Sequence, residues 1–251
     1  MTQGQKNAFW YKWNRFQQRY ENYFTHKFKS ALQLQVKSFL KAKDVTAIPS
    51  YPIYDVLVNL YKTVGPAWAS MVKKESNKAS GVMGFNEDIL RLMEQYYGID
   101  LLNDAELMTA ASRDYISAIM ISANQQGLSI DQITALLLNH PEFNEMRARR
   151  IARTETVTAA NGAAMIYAMT SGNEMEKTWI AVKDKRTRHN HRIVDGTTVD
   201  INDPFNVGGV MMMQPGVRDQ PNGQKVPAKE IVNCRCTVAF KAKRTSEGNI
   251  I

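Results

Sequence analysis

The sequence predicts an α+β protein, a mostly helical N-terminal body followed by a small C-terminal mixed α/β module. Three observations lead there. Apolar residues recur at helical spacing through most of the first 172 positions. The pattern then changes at Gly172 to short strand-like runs separated by Asp195-Gly196, Gly208-Gly209 and Asn222-Gly223. Both cysteines and two of the four histidines fall between Trp179 and Cys236, where the chemically versatile side chains gather.

Residues 1–43 are expected to form a long helical arm. Phe9, Trp13, Phe16, Tyr20, Phe24 and Phe28 follow one another in steps of three and four, which places them on one face. Such a stripe fits a surface buried on another helix or subunit, and at a chain end it suggests a docking arm. Interleaved cations leave nucleic-acid contact as a second reading.

Residues 44–172 are expected to be a helical body, entered through a hinge at Pro49 and Pro52. A helix resumes at Ile53, breaks or kinks at Gly65-Pro66, and gives way to a loop at Ser80-Gly81 and Gly84. Asn86 would cap a helix ending near Gly98, with the next running from Asp104 to Gln126. Ser129 and Gln132 form a capping-box pattern, and Pro141 suits the first turn of a helix reaching Ser171-Gly172.

Residues 173–244 make up the module and 245–251 a polar tail. Strands are expected at Trp179–Val182 and Val232–Phe240. Trp179, Asp184, Asp195 and Phe205 are its expected core and turn-forming residues, Asp184 closing a turn through its carboxylate.

The apolar share of 44% is that of a globular protein, and no apolar run reaches the roughly eighteen residues of a membrane span. The net charge of +8 suggests an anionic partner, and it is uneven: residues 1–43 hold nine Lys/Arg and one acid, Glu21. Arg186, Arg188, Arg192, Lys241, Lys243 and Arg244 are the candidate contacts to double-stranded DNA. Pairing of Arg186 and Arg188 with Asp184 or Asp195 is the structural alternative.

Cys234 and Cys236 would share one face of a strand, and His191, with His189, would complete a zinc ligand set if that segment were also extended. A helix there would turn the two imidazoles about 200° apart and exclude one of them. Two small buried cysteines with surface histidines are the other reading. Catalysis has little support from the residues, since no nucleophile–base order and no phosphate-cradling glycine loop is present.

Ala152-Arg153-Thr154-Glu155-Thr156, Asn161, Trp179, Asp184, Arg186-Thr187-Arg188, His191, Asp195-Gly196, Phe205, Pro215 and Asn233-Cys234-Arg235-Cys236 stand in an order that resembles the minor head protein (Mu F-like, head morphogenesis) family of tailed bacteriophages. The resemblance covers about Ile130 to Phe240. It implies a non-enzymatic minor capsid protein made in the host cytoplasm and carried in the virion. Its place would be the head interior near the portal, with portal, capsid or scaffold protein as partner and DNA packaging or ejection as the process served. A zinc-dependent enzyme acting on nucleic acid or nucleotides through His191, Cys234 and Cys236 is the alternative.

Overall fold

The structure, a computed structural model, describes residues 1–76, 85–182 and 184–250. The loop expected at Ser80-Gly81 and Gly84, the side chain of Asn86 and the basic residue Lys183 lie outside this description. The elements are α1 (Gln3–Ala42), α2 (Tyr51–Ser76), α3 (Phe85–Gln125), α4 (Ile130–Asn139), α5 (Glu145–Thr170), β1 (Met175–Ile180), α6 (His189–Ile193), β2 (Thr198–Asp200), β3 (Phe205–Val207), β4 (Val210–Met212), α7 (Ala228–Ile231) and β5 (Thr237–Ala242). The helical body and small mixed module make the fold α+β, as expected. Among the described residues no helix is long and apolar enough to cross a membrane.

Two compact units divide the chain, one of residues 1–20, 61–95 and 153–251, the other of 21–60 and 96–152. These units cut across the linear division into arm, body and module.

The second unit is helical. Phe24, Phe28, Leu32, Val36, Leu57, Ile116, Leu137 and Phe143 are among its fully buried apolar residues. Ser129 accepts from the Gln132 amide at 3.3 Å while Gln132 returns a bond to the Ser129 amide at 2.8 Å, so the expected capping box starts α4. Pro141 opens a short 3₁₀ turn, Pro141–Phe143, and α5 begins only at Glu145. The break expected at Gly98 is absent. The α3 helix continues through it, because one glycine in a helix interior costs only about 1 kcal/mol, less than the packing on either side supplies.

A buried polar network runs through this unit. Gln35 donates to Thr109 Oγ1 at 2.9 Å, Ser112 donates to Gln35 Oε1 at 2.8 Å, and Arg147 donates to Ser112 Oγ at 3.0 Å and to the Met108 carbonyl at 2.7 Å.

The first unit holds the module. In its sheet, β1 is central, with β2 and β5 antiparallel on either side; Thr178 faces Thr198 and Trp179 faces Val238. Gly208-Gly209 turns β3 into β4. The α5 helix presents Ala159, Ala160, Ala163 and Ala164, all fully buried, and their small size admits neighbouring backbone closely. At Gly216 (φ 86°) a Cβ would lie 2.9 Å from Thr158 Cα, so glycine is required by both φ and space. Gly65 sits in an unbroken α2, where a Cβ would meet the Met93 thioether at 2.4 Å.

The start of α1 belongs to this unit. Phe9, Trp13 and Phe16 surround Trp68 with ring centroids at 5.7, 4.8 and 4.8 Å. Edge and tilted ring contacts of this kind add about 0.5–1.5 kcal/mol each beyond the area they bury. This corrects the docking-arm expectation. Phe9, Trp13, Phe16, Phe24 and Phe28 are all buried in this chain, and Tyr20 is half-buried against Phe16, so these six residues leave no free stripe for a partner. The helical spacing marks a buried face, and the chain's own helices supply the cover.

Candidate functional site

The module closes on a cluster formed by three short segments. His191 comes from α6, Glu230 from α7, and Cys234 and Cys236 from the loop between α7 and β5. Because 189–193 is helical, His191 is buried while His189 points to solvent, so the four-ligand arrangement with His189 is corrected by the geometry of a helix turn. The cysteines also precede the strand rather than lie in it. Asn233 takes a left-handed backbone (φ 62°), which reverses the chain after α7, and its amide is held by Thr154 Oγ1 at 3.0 Å. Both thiols nevertheless turn toward His191.

Nδ1 of His191 lies 3.4 Å from Cys236 Sγ and 3.6 Å from Cys234 Sγ, and Nε2 lies 3.0 Å from Glu230 Oε2. The carboxylate fixes Nε2 as the protonated nitrogen and leaves Nδ1 facing both sulfurs. The Cys236 amide points back at Cys234 Sγ at 3.4 Å. Exposure is 1% for His191, 2% for each cysteine and 4% for Glu230, so no molecule of substrate size reaches the group. Trp179 packs edge-on against the imidazole at 5.4 Å and against Phe205 at 5.3 Å.

The electrostatics are those of close-set ionisable groups. The hydrogen bond from Cys236, helped by His191, holds the Cys234 thiol well below its usual range against the penalty of burial. The same contact, burial and the charge on Cys234 push Cys236 well above it. Burial disfavours a charged His191, but Cys234 more than offsets this, and the imidazole is raised.

The motif residues upstream brace this loop. Arg153 donates to the Asn233 side chain at 3.3 Å; Glu155 accepts from Tyr61 at 2.9 Å and Arg218 at 2.8 Å. Asn161 donates to the Pro215 and Cys236 carbonyls at 3.2 Å and accepts from Thr237 at 2.8 Å. Arg235 forks onto Asp184 at 2.6 and 2.8 Å, and this bond holds the Asp184 carboxyl well below the usual carboxylate range. Asp184 also accepts the Arg186 amide at 2.9 Å, closing the expected turn. From α1, Trp13 donates to the Arg235 carbonyl at 2.7 Å, and Lys6 pairs at 2.5 Å with Asp195, which accepts the Ala181 amide at 2.9 Å.

The candidate DNA cations are mostly engaged within the chain. Arg186 pairs with Asp184 at 3.6 Å, Lys241 with Glu176 at 3.5 Å, and Lys243 with Asp200 at 2.5 Å and Glu174 at 3.6 Å. Arg188 donates to the Val232 carbonyl and Arg244 to the Gly248 carbonyl, while Arg192 is exposed. The roles of Glu230, Trp13 and Lys6 at this site are not visible in the sequence pattern. Glu230 alone carries a signal, as the only acid between Asp219 and Glu247, four residues before Cys234.

A small antiparallel sheet carrying a buried polar cluster makes up this module, and an open cleft of about 480 Å³ beside it is lined by Ala181, Val182, Asp184, Lys185, Arg192 and Asp195. The chain belongs to the phage Mu protein F like family, whose profile matches residues 114–239, half of its length. It is 28% identical over 140 residues to the uncharacterized protein YqbB of Bacillus subtilis strain 168, covering 54% of this chain and 44% of that one. It is 33% identical over 117 residues to the NAD(+)–arginine ADP-ribosyltransferase EFV of Enterococcus faecalis, covering 45% of this chain and 22% of that protein. To the minor head protein GP7 of Bacillus phage SPP1 it is 29% identical over 116 residues, covering 45% of this chain and 36% of the relative. The chain thus spans less than half the length of each of these relatives. No solved structure matches.

Proposed function

We propose that this chain is a non-enzymatic minor head protein of a tailed phage, held inside the head near the portal vertex and bound there to portal, capsid or scaffold protein. The observation that carries the reading is the family match across the module, joined to motif residues Arg153, Thr154 and Asn161 that hold the Asn233–Cys236 loop in place. The likeness to a minor head protein points the same way. The transferase activity belongs by name to a relative of which this chain matches 22%. The cluster here is sealed, with His191, Cys234 and Cys236 at most 2% exposed, which weighs against an enzyme working on nucleotides through them.

Co-expression with the portal, scaffold and major capsid proteins of a tailed phage whose head genes include this chain tests this. The chain is expected in purified procapsids, and to be absent from them when portal is omitted. Procapsids with portal in place but without this chain would overturn the proposal. Contact with packaged DNA would fall to exposed cations such as Arg192 and Arg186. Binding to duplex DNA should then weaken steeply with salt, and Arg186→Ala with Arg192→Ala should flatten that slope by about one unit for each phosphate partner removed. Salt-independent binding, or none, would strike DNA from the partners.

A further inference from the structure

We propose that His191, Cys234 and Cys236 bind a structural zinc ion, with Glu230 fixing the imidazole from behind. Nothing in this rests on the head-protein reading. Zinc bound by a nitrogen at about 2.0–2.1 Å and a sulfur at about 2.3 Å in a tetrahedron places those two ligand atoms about 3.6 Å apart. The two N···S distances here are 3.4 and 3.6 Å, so both match that edge. All three ligand atoms lie within 4.8 Å of one another.

Three further features belong to such a site. Glu230 directs the Nε2 proton away from the sulfurs and leaves the Nδ1 lone pair free, the usual carboxylate–histidine–metal arrangement. The Cys236 amide donates to Cys234 Sγ, which stabilises a thiolate. A cavity of about 10 Å³ touches His191, Cys234, Cys236 and Thr187, on the order of the space one water needs, so there is room beside the three side chains for one further small ligand.

A catalytic Cys–His pair fits less well, because its imidazole would address one thiol and its thiol would face a substrate channel. Here one nitrogen stands between two sulfurs, and both cysteines are 2% exposed. A disulfide between Cys234 and Cys236 would leave the placement of His191 and Glu230 unexplained. Two thiolates neutralise a divalent ion, and a borderline-soft S,S,N donor set suits zinc among the common metals. The ion would tie α6 to the loop entering β5, with α7 held through Glu230.

The test is the metal content of the purified full-length chain and its spectrum after exchange into cobalt. One zinc per chain is expected, and cobalt should give the intense visible bands of a tetrahedral site with thiolate charge-transfer absorption. Cys234→Ser, Cys236→Ser and His191→Ala should lose stoichiometric metal. His189→Ala should keep it, and Glu230→Gln should keep it with about 10–100-fold weaker affinity. Should the ligand variants fail to fold, the native chain decides alone. Native protein that is folded by circular dichroism yet takes up neither zinc nor cobalt would overturn the proposal, as would serine variants that retain a full equivalent.

Discussion

The helical unit and the module each bury polar side chains, and they do so in different ways. Around Arg147 the donors meet acceptors: Gln35, Thr109, Ser112 and the Met108 carbonyl form a chain of hydrogen bonds that ends on main-chain oxygen. Around His191 the imidazole Nδ1 and two sulfurs face one another, all atoms that favour a cation between them. The first arrangement is satisfied without a ligand and serves packing. The second asks for a proton or a metal, and that difference separates a core network from a candidate site when both are equally buried.

Substitutions tell the two arrangements apart. Arg147→Ala should have the largest effect, on the order of 3 kcal/mol of stability in chemical denaturation, because it empties a buried site and removes two donors, to Ser112 Oγ and to the Met108 carbonyl, from the network. Metal content should stay unchanged in the fraction that folds. A loss of zinc there would mean that the two networks are not independent.

Lys177 supplies a buried charge that neither arrangement satisfies. Among the described residues its ammonium has no hydrogen-bond partner; it lies 5.4 Å over the Phe205 ring, and burial lowers its pKa to about 8, with Asp203 and Asp200 opposing the shift. Between pH 8 and the ordinary lysine value the unfolded chain binds more protons, so stability should rise with pH across that window. Lys177→Met should remove the rise and stabilise the chain at neutral pH by about 2 kcal/mol, somewhat less than the shift itself implies. A melting temperature that is unchanged at pH 7 and still climbs above pH 8 in the variant would contradict this.

Trp13→Phe keeps the ring packing against Trp68 but leaves the Arg235 carbonyl unpaired. A drop of about 1–2 kcal/mol is expected, together with faster release of zinc to a chelator. Release at the native rate would show that α1 does not brace the cysteine loop. The smallest effect belongs to Asp184→Asn, under about 1 kcal/mol at neutral pH, because the Arg235 pair is partly exposed to solvent. The folded carboxyl titrates below the unfolded one, so this contribution is present at neutral pH. It disappears as acid protonates Asp184, and the variant should converge with the native chain at low pH.

Local pattern makes much of this legible in the sequence, and long-range contact hides the rest. The Phe9–Phe28 spacing announces a buried helical face, but spacing is silent on whether Trp68 or a second protein covers it. Gly98 looks like a helix end, since propensity shows locally and the packing that overrides it does not. The Cys-X-Cys pair and His191 are legible as a cluster because few other residues near them bear such chemistry. Their convergence depends on Asn233 at a left-handed φ and on a five-residue helix at His189–Ile193, and neither follows from strand periodicity. The bonds from Trp13 to Arg235 and from Lys6 to Asp195 join positions about 190–220 residues apart, beyond the reach of any local rule.

Hydrogen exchange of the native full-length chain, with and without a zinc chelator, sets the two arrangements against each other in one experiment. Chelation should strip protection from 189–193 and 228–242 while the amides around Thr109, Ser112 and Arg147 keep theirs. Protection that is identical with and without chelator would contradict a metal-held module, as would a uniform decrease across both units.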